Sequence, residues 1–213
     1  MLELTTAYLR AHFPLLRDDG LRKDIAKHGT LHQFTEGVMV LKEEQYLDHI
    51  PLVSKGGVKV IRHTRGHQNI FLYFIRPGEV CTMTLSSCLK RQTSQVHACT
   101  VTSTEMILLP MERVYYYTKH FPSWNEFTLE NFSEKFDNIM HAFDWLAFEP
   151  LKARIMHYLE DTAQLCGQSS LTITHVELAT DMGASRVSVS RVLKELEQEG
   201  SLKLERKMIT IGE

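Results

Sequence analysis

A chain of 213 residues that is 43% hydrophobic and 9% aromatic can fill one large core or two modest ones, which excludes a disordered or fibrous protein. Its formal charge of −2 gives no global attraction for nucleic acid, so any such site must come from local placement of charge. There is no run of about 18 apolar residues, as a membrane span requires. The N-terminal "MLELTTAYLRAHFPLL" lacks a basic flank and a small-residue cleavage site, and the four cysteines are irregularly spaced. The expectation is a cytoplasmic protein that does not engage a membrane.

In chain order, "TTAYLRAHFPLLRDDGLRKDIAKHG" reads as two short helices broken by Pro14 and Gly20. From about Thr30 to Pro110 the pattern turns to short β-rich runs: "GVKVIR" (57–62), "NIFLYFI" (69–75), "QVHACTV" (95–101) and "EMILLP" (105–110). Turn signals separate them at Glu36-Gly37, "SKGG" (54–57), "RGHQN" (65–69), Pro77-Gly78 and "TST" (102–104), which predicts a sandwich or barrel. After Met111 the helical period returns. Leu129, Phe132, Phe136, Ile139, Phe143 and Leu146 are spaced 3, 4, 3, 4 and 3, a heptad-type seam. Such a narrow stripe suits a contact between two helices, and a homodimer is expected through it; packing on the chain's own β domain is the alternative. Pro150 marks a boundary before "LKARIMHYLEDTAQLCG", which Gly167 ends.

The last forty residues are the most informative. In "THVELATDMGASRVSVSRVLKELEQEG", Thr174 and Glu177 form a candidate capping box, Gly183 stands at a turn needing positive φ, and Ser185 can cap a second helix. Leu178, Met182, Ala184, Val189 and Val192 fall where two crossing helices bury residues, with small Ala179 where they approach. This is helix-turn-helix geometry. An ordinary helical hairpin would explain the stripe and the caps. It would not explain Arg186, Ser188, Ser190 and Arg191 on the open start of the second helix, with no acidic residue before Glu195. From residue 174 onward six Lys/Arg face seven Asp/Glu, so the face that carries the arginines decides the reading, not net charge. Arginine can donate to O6 and N7 of guanine, and serine hydroxyls and helix-end amides bind phosphate. "GSLKLERKMITIGE" then reads as a β-hairpin, the wing of a winged helix, whose Arg206-Lys207 tip either meets phosphates or is simply solvated.

A helical start, a β-roll ending in "RPGE" (76–79), a long helix with a heptad seam and "ELATDMGASRVSVSRVLKELEQEG" together resemble the CRP/FNR family of bacterial transcription regulators. The resemblance implies an α+β chain: a cyclic-nucleotide-binding-type β-roll at 1–121, a dimerisation helix at 122–149 and a winged helix-turn-helix at 150–213. It also implies a homodimer on a near-palindromic operator in double-stranded DNA, acting on transcription through RNA polymerase. In the family pattern Ser-Arg-Glu-x-Val-x-Arg, Ser185, Arg186 and Arg191 match, and Ser188 falls at a phosphate-contacting position. Val187 stands where a glutamate is expected. Valine cannot accept from cytosine N4 but can touch a thymine methyl, so an altered half-site is expected. His175 replaces a phosphate-contacting arginine of many relatives.

The same resemblance places an effector pocket near Gly78, Glu79, Cys81, Thr82, Met83, Gln92 and Thr93. Thr82-Met83 and Gln92-Thr93 stand where cyclic-AMP binders carry Gly-Glu and Arg-Ser. The arginine that would hold phosphate is missing unless Arg91, one residue away, supplies it. Cyclic-AMP sensing is therefore not expected, and the cofactor is left unassigned. Cys81, Cys88 and Cys99 could hold an iron–sulfur cluster or respond to oxidation, and His63, His67 and His97 could ligate haem. The cheaper readings are buried apolar cysteines and a polar strand face. The rival class is a cupin-like metal enzyme drawing on His63, His67 and Glu79, but it leaves the helix-turn-helix unexplained. No catalytic residue and no metal ligand is expected.

Overall fold

The computed structural model describes residues 3–63 and 69–212. These fall into two compact units, 3–60 with 73–138, and 61–63 and 69–72 with 139–212. Most of the "RGHQN" turn signal, His67 included, lies outside the described residues.

The first unit opens with α1 (Thr6–His12) and α2 (Asp19–His28). Pro14 does separate them, but Gly20 does not break a helix: it sits in the first turn of α2, behind Asp18, whose carboxylate accepts from the Leu21 amide at 2.8 Å. The aspartate cap outweighs the glycine's low helix propensity. There follow β1 (Thr30–Phe34), β2 (Met39–Leu41), β3 (His49–Lys55), β4 (Val58–His63), β5 (Asn69–Ile75), β6 (Glu79–Val80), α3 (Thr82–Leu89), β7 (His97–Thr100), β8 (Thr104–Pro110) and α4 (Met111–His120). The strands form two four-stranded sheets, ordered β1-β8-β3-β6 and β2-β7-β4-β5. The strand spacing predicted a β-rich unit of this kind, and the roll is what the resemblance implied. Strand β4 leaves the first unit after Val60, and β5 re-enters it at Tyr73.

Alternation along β3 and β8 explains how one sheet serves two layers. Ile50 pairs with Leu109 and Leu52 with Ile107, and all four join one core with Leu9, Phe13, Ile25, Val114 and Tyr117 from the helices. The intervening Pro51, Val53, Met106 and Leu108 point the other way, into the roll. A slip of one residue would exchange the two sets, so register is strongly specified.

Helix α5 (Pro122–Phe148) starts with proline at its first position, where the missing amide costs nothing. Its Trp124 and Phe127 complete the helical core of the first unit. One and two turns further on, Asn131 and Lys135 are buried too. Asn131 Oδ1 accepts from the Val80 amide at 2.9 Å, and Lys135 Nζ lies 2.6 Å from Glu79 Oε2. Glu79 also accepts from the Arg76 amide at 2.7 Å. Burial raises the Glu79 carboxyl above its ordinary value, while the facing ammonium opposes that rise. Thus α5 is tied to β6 through desolvated polar contacts.

In the second unit, α6 (Leu151–Cys166) runs from Pro150 to a left-handed Gly167. It is followed by β9 (Ser170–Leu171), α7 (His175–Met182), α8 (Arg186–Gln198), β10 (Leu202–Glu205) and β11 (Met208–Ile211). The three strands form an antiparallel sheet ordered β10-β11-β9. Trp145 stacks on His157 with ring centroids 4.9 Å apart, and Phe71 meets Tyr158 edge-on at 5.1 Å. No helix among the described residues is long and apolar enough to cross a membrane.

Candidate nucleic-acid interface

The helix-turn-helix is built by its caps. Thr174 accepts from the Glu177 amide at 3.2 Å while Glu177 accepts from the Thr174 amide at 2.8 Å, so the capping box at the start of α7 is complete. At the other end Gly183 has φ 61°, and Ser185 Oγ accepts from the Ser188 amide at 3.0 Å to open α8. Leu178, Ala179, Met182, Val189 and Val192 are buried between and beneath the helices as expected, with Ala184 half-buried. Polar groups then fix the pair to α6. Tyr158 OH donates to Asp181 Oδ2 at 2.6 Å inside the core, and Arg154 Nη2 donates to the Met182 carbonyl at 2.7 Å. Burial, followed by the Asp181 carboxylate, pushes the Tyr158 phenol well above its ordinary pKa, so it remains a donor.

The turn accepts no side chain at Gly183. A Cβ there would stand 2.6 Å from the Asn69 carbonyl oxygen, and φ is in the left-handed region. Gly183→Ala is expected to destabilise this unit by on the order of 2 kcal/mol, combining the backbone penalty with displacement of Asn69. A thermal melt is the check; an unchanged midpoint would contradict it.

The open face of α8 carries Arg186, Val187, Ser190, Arg191 and Lys194 around one shallow depression. Val187 is 79% exposed, an apolar side chain held in water at the start of the helix. Arg191 Nε lies 3.6 Å from Glu195 Oε1, a loose exposed pair of small energetic weight that duplex phosphates can displace. The first turn of α8 holds no acid. Two predicted contacts are already engaged within the protein: His175 Nδ1 is 2.9 Å from Ser190 Oγ, and Ser188 Oγ is 2.9 Å from Ser185 Oγ. His175 and Ser190 therefore brace α7 against α8. Lys194 was not singled out from the sequence, although it lies one turn beyond Ser190 on the same face. The wing hairpin is present, with Leu202 and Ile209 buried and Arg206-Lys207 exposed at its turn, Lys207 with φ 62°. Glu197 Oε1 accepts from the Leu204 amide at 2.8 Å and fastens the hairpin to α8.

The residues assigned by resemblance to an effector pocket differ in burial and in what they contact. Gly78 forms a turn with φ 90°, Glu79 pairs with Lys135, and Thr82 Oγ1 lies 3.3 Å from Tyr73 OH. Met83 is half-buried, Thr93 is half-buried, and Gln92 is exposed, as is Arg91. Cys81 alone of the seven lines the cavity inside the roll. Burial pushes the Cys81 thiol up and the Cys88 thiol up to about 11, so neither is a ready thiolate. Glu79, which a cupin-type metal set would need, is held by Lys135.

Along α5 the seam splits. Leu129, Phe136 and Phe143 are exposed, together with Met140, which follows Phe136 by one turn. Phe132 packs on the core of the first unit, in line with the alternative reading at that position. Ile139 is half-buried, and Leu146, also exposed, borders a pocket of the second unit with Phe71 and Trp145.

Residues 153–212 match the family model of the Crp-like helix-turn-helix domain. A global nitrogen regulator of Synechocystis sp. is 22% identical over 171 residues, covering 77% of this chain and 76% of that one. Among solved structures, a CRP/FNR-family regulator from Eubacterium rectale has a TM-score of 0.82 at 21% identity and covers 95% of each chain. The c-di-GMP-responsive global regulator CLP of Xanthomonas campestris has a TM-score of 0.78 at 20% identity, covering 92% of this chain and all of that one. With its arginine-bearing α8, the chain carries a Crp-like helix-turn-helix domain at residues 153–212 and shares the fold of these CRP/FNR-family structures.

Proposed function

We propose that this chain is a dimeric, sequence-specific DNA-binding transcription regulator. Its two α8 helices enter successive major grooves of a near-palindromic operator, it acts in the cytoplasm through RNA polymerase, and its roll senses an effector other than cyclic AMP. The observation that carries the reading is the open face of α8, where Arg186, Val187, Arg191 and Lys194 stand together behind a serine cap and an acid-free first turn. Arg186 and Arg191 read bases, Lys194 holds phosphate, and Val187 touches a thymine methyl. The exposed Leu129, Phe136, Met140 and Phe143 supply an apolar strip for a second copy of α5. The roll's lack of a phosphate-holding arginine among the assigned positions supports the exclusion of cyclic AMP.

Selection from random duplex DNA tests the reading. The enriched sites should contain two inverted half-sites spaced by about one helical turn, roughly 10 base pairs. The Val187→Glu variant should move the preference at one base pair of each half-site towards cytosine, because a carboxylate accepts from N4. Phe136→Glu should yield monomers in sedimentation and weaken binding. Absence of any enriched sequence would overturn the proposal.

A further inference from the structure

The inner face of the roll lines a cavity of about 180 Å³ within the first unit, open to solvent on the side of Gln45 and Asp48. Interiors packed like organic crystals rarely contain spaces larger than a water molecule, so one of this size calls for a molecular explanation. Its walls are apolar: Phe34, Val53, Met106 and Leu108 from one sheet, Val58 and Ala98 from the other. At its base Cys81 and Thr84 are both buried, and Thr84 Oγ1 donates to Cys81 Sγ at 2.9 Å. That leaves the lone pairs of the threonine hydroxyl to accept from a guest. Gln45, Asp48 and His49 line the remaining side. Asp48 accepts a hydrogen bond from His49 at 2.8 Å and is thereby held ionised, below the usual carboxylate range.

Charge limits what this space admits. Among the described residues no lysine or arginine lines it, and the exposed Asp48 at its rim adds negative charge at the entrance. A phosphate or carboxylate guest would lose its hydration without gaining a cationic partner. Size limits it further: apolar cavities of about 150 Å³ hold a benzene-sized molecule. Sulfur from Cys81 and Met106 and the ring of Phe34 favour an aromatic guest.

We propose that this cavity is a binding site for one uncharged, single-ring molecule, carrying at most one small hydrogen-bond donor directed at Thr84. It differs from the nucleotide-type pocket suggested by resemblance, with which it shares only Cys81. Calling the guest an effector rests on the regulator reading above; the binding itself does not.

The test uses the full-length chain with toluene, phenol and benzoate as probes, read by thermal shift and titration calorimetry. Toluene and phenol should bind saturably at one site per chain and raise the melting temperature, and benzoate should do neither. Ala98→Phe fills the cavity and should abolish both signals. If that variant does not fold, Thr84→Val decides, since it should weaken phenol by roughly fivefold and leave toluene unchanged. The inference is overturned if neither neutral probe saturates, if benzoate binds as toluene does, if a folded Ala98→Phe binds like the wild type, or if Thr84→Val spares phenol. DNA affinity measured on the same samples keeps the two readings apart, because loss of operator binding leaves the probe shifts intact and failure of the probes leaves operator binding intact.

Discussion

Alanine at Arg186 and Arg191 together is expected to abolish operator discrimination, and either change alone to weaken it on the order of a hundredfold or more. A bidentate arginine–guanine contact contributes roughly 1–3 kcal/mol, and in a dimer each substitution removes it from both half-sites. Both side chains project from the exposed face of α8, and neither supports the core. The melting temperature should therefore stay within a degree or two of the wild type, which separates lost recognition from lost folding. Lys194→Ala should behave differently, weakening all sequences alike and flattening the salt dependence, as a phosphate contact does. Fluorescence anisotropy on selected and scrambled duplexes at fixed ionic strength is the measurement. Unchanged affinity in the double variant would refute the assignment of α8 as the reading helix.

Lys135→Met should be the most damaging single change in the first unit, by roughly 3–5 kcal/mol at neutral pH. The ammonium is almost wholly buried and 2.6 Å from Glu79, so its removal strands a desolvated carboxylate. The sign of the pH dependence follows from Glu79, whose pKa in the fold is already raised by burial. An acid with a raised folded pKa binds its proton more readily in the native state, so stability is present at low pH and lost as pH rises through that value. Without Lys135 the rise should be larger, and the deficit of the variant should shrink on acidification from pH 7 towards 5. Adding Glu79→Gln should restore much of the loss at neutral pH, because an amide carries no charge to strand. Denaturant titrations at several pH values measure this; a deficit independent of pH would show that packing, not charge, dominates.

The parts of the fold legible in the sequence are those set by local chemistry. Capping residues, a left-handed glycine and a stripe of aliphatics are enough to place α7, the turn and α8, because each acts within a few residues. The strand runs were legible because alternation and turn residues are local too. Helix α5 shows where this stops. Trp124, Phe127, Asn131 and Lys135, spaced 3, 4 and 4, form a second stripe facing the roll, and two of the four are polar. Nothing local distinguishes such a lysine from a solvated one, since its burial depends on Glu79, more than fifty residues earlier. The hydrogen bond between His175 and Ser190 depends likewise on how two helices cross. For the roll, resemblance offered a segment by chain position alone. It carried no information about which side chains line the cavity, where Thr84 and Ala98 stand beside Cys81 while Gln92 is exposed.

The distribution of indole rings has a practical consequence. Trp124 lies in the aromatic core of the first unit beside Tyr117 and Phe127, whereas Trp145 belongs to the second unit and is stacked on an imidazole. With only these two tryptophans in the chain, replacing either with phenylalanine leaves a single native fluorophore. Emission during denaturation then reports on one half of the molecule at a time, and comparison of the two traces reveals whether the halves melt together or in sequence.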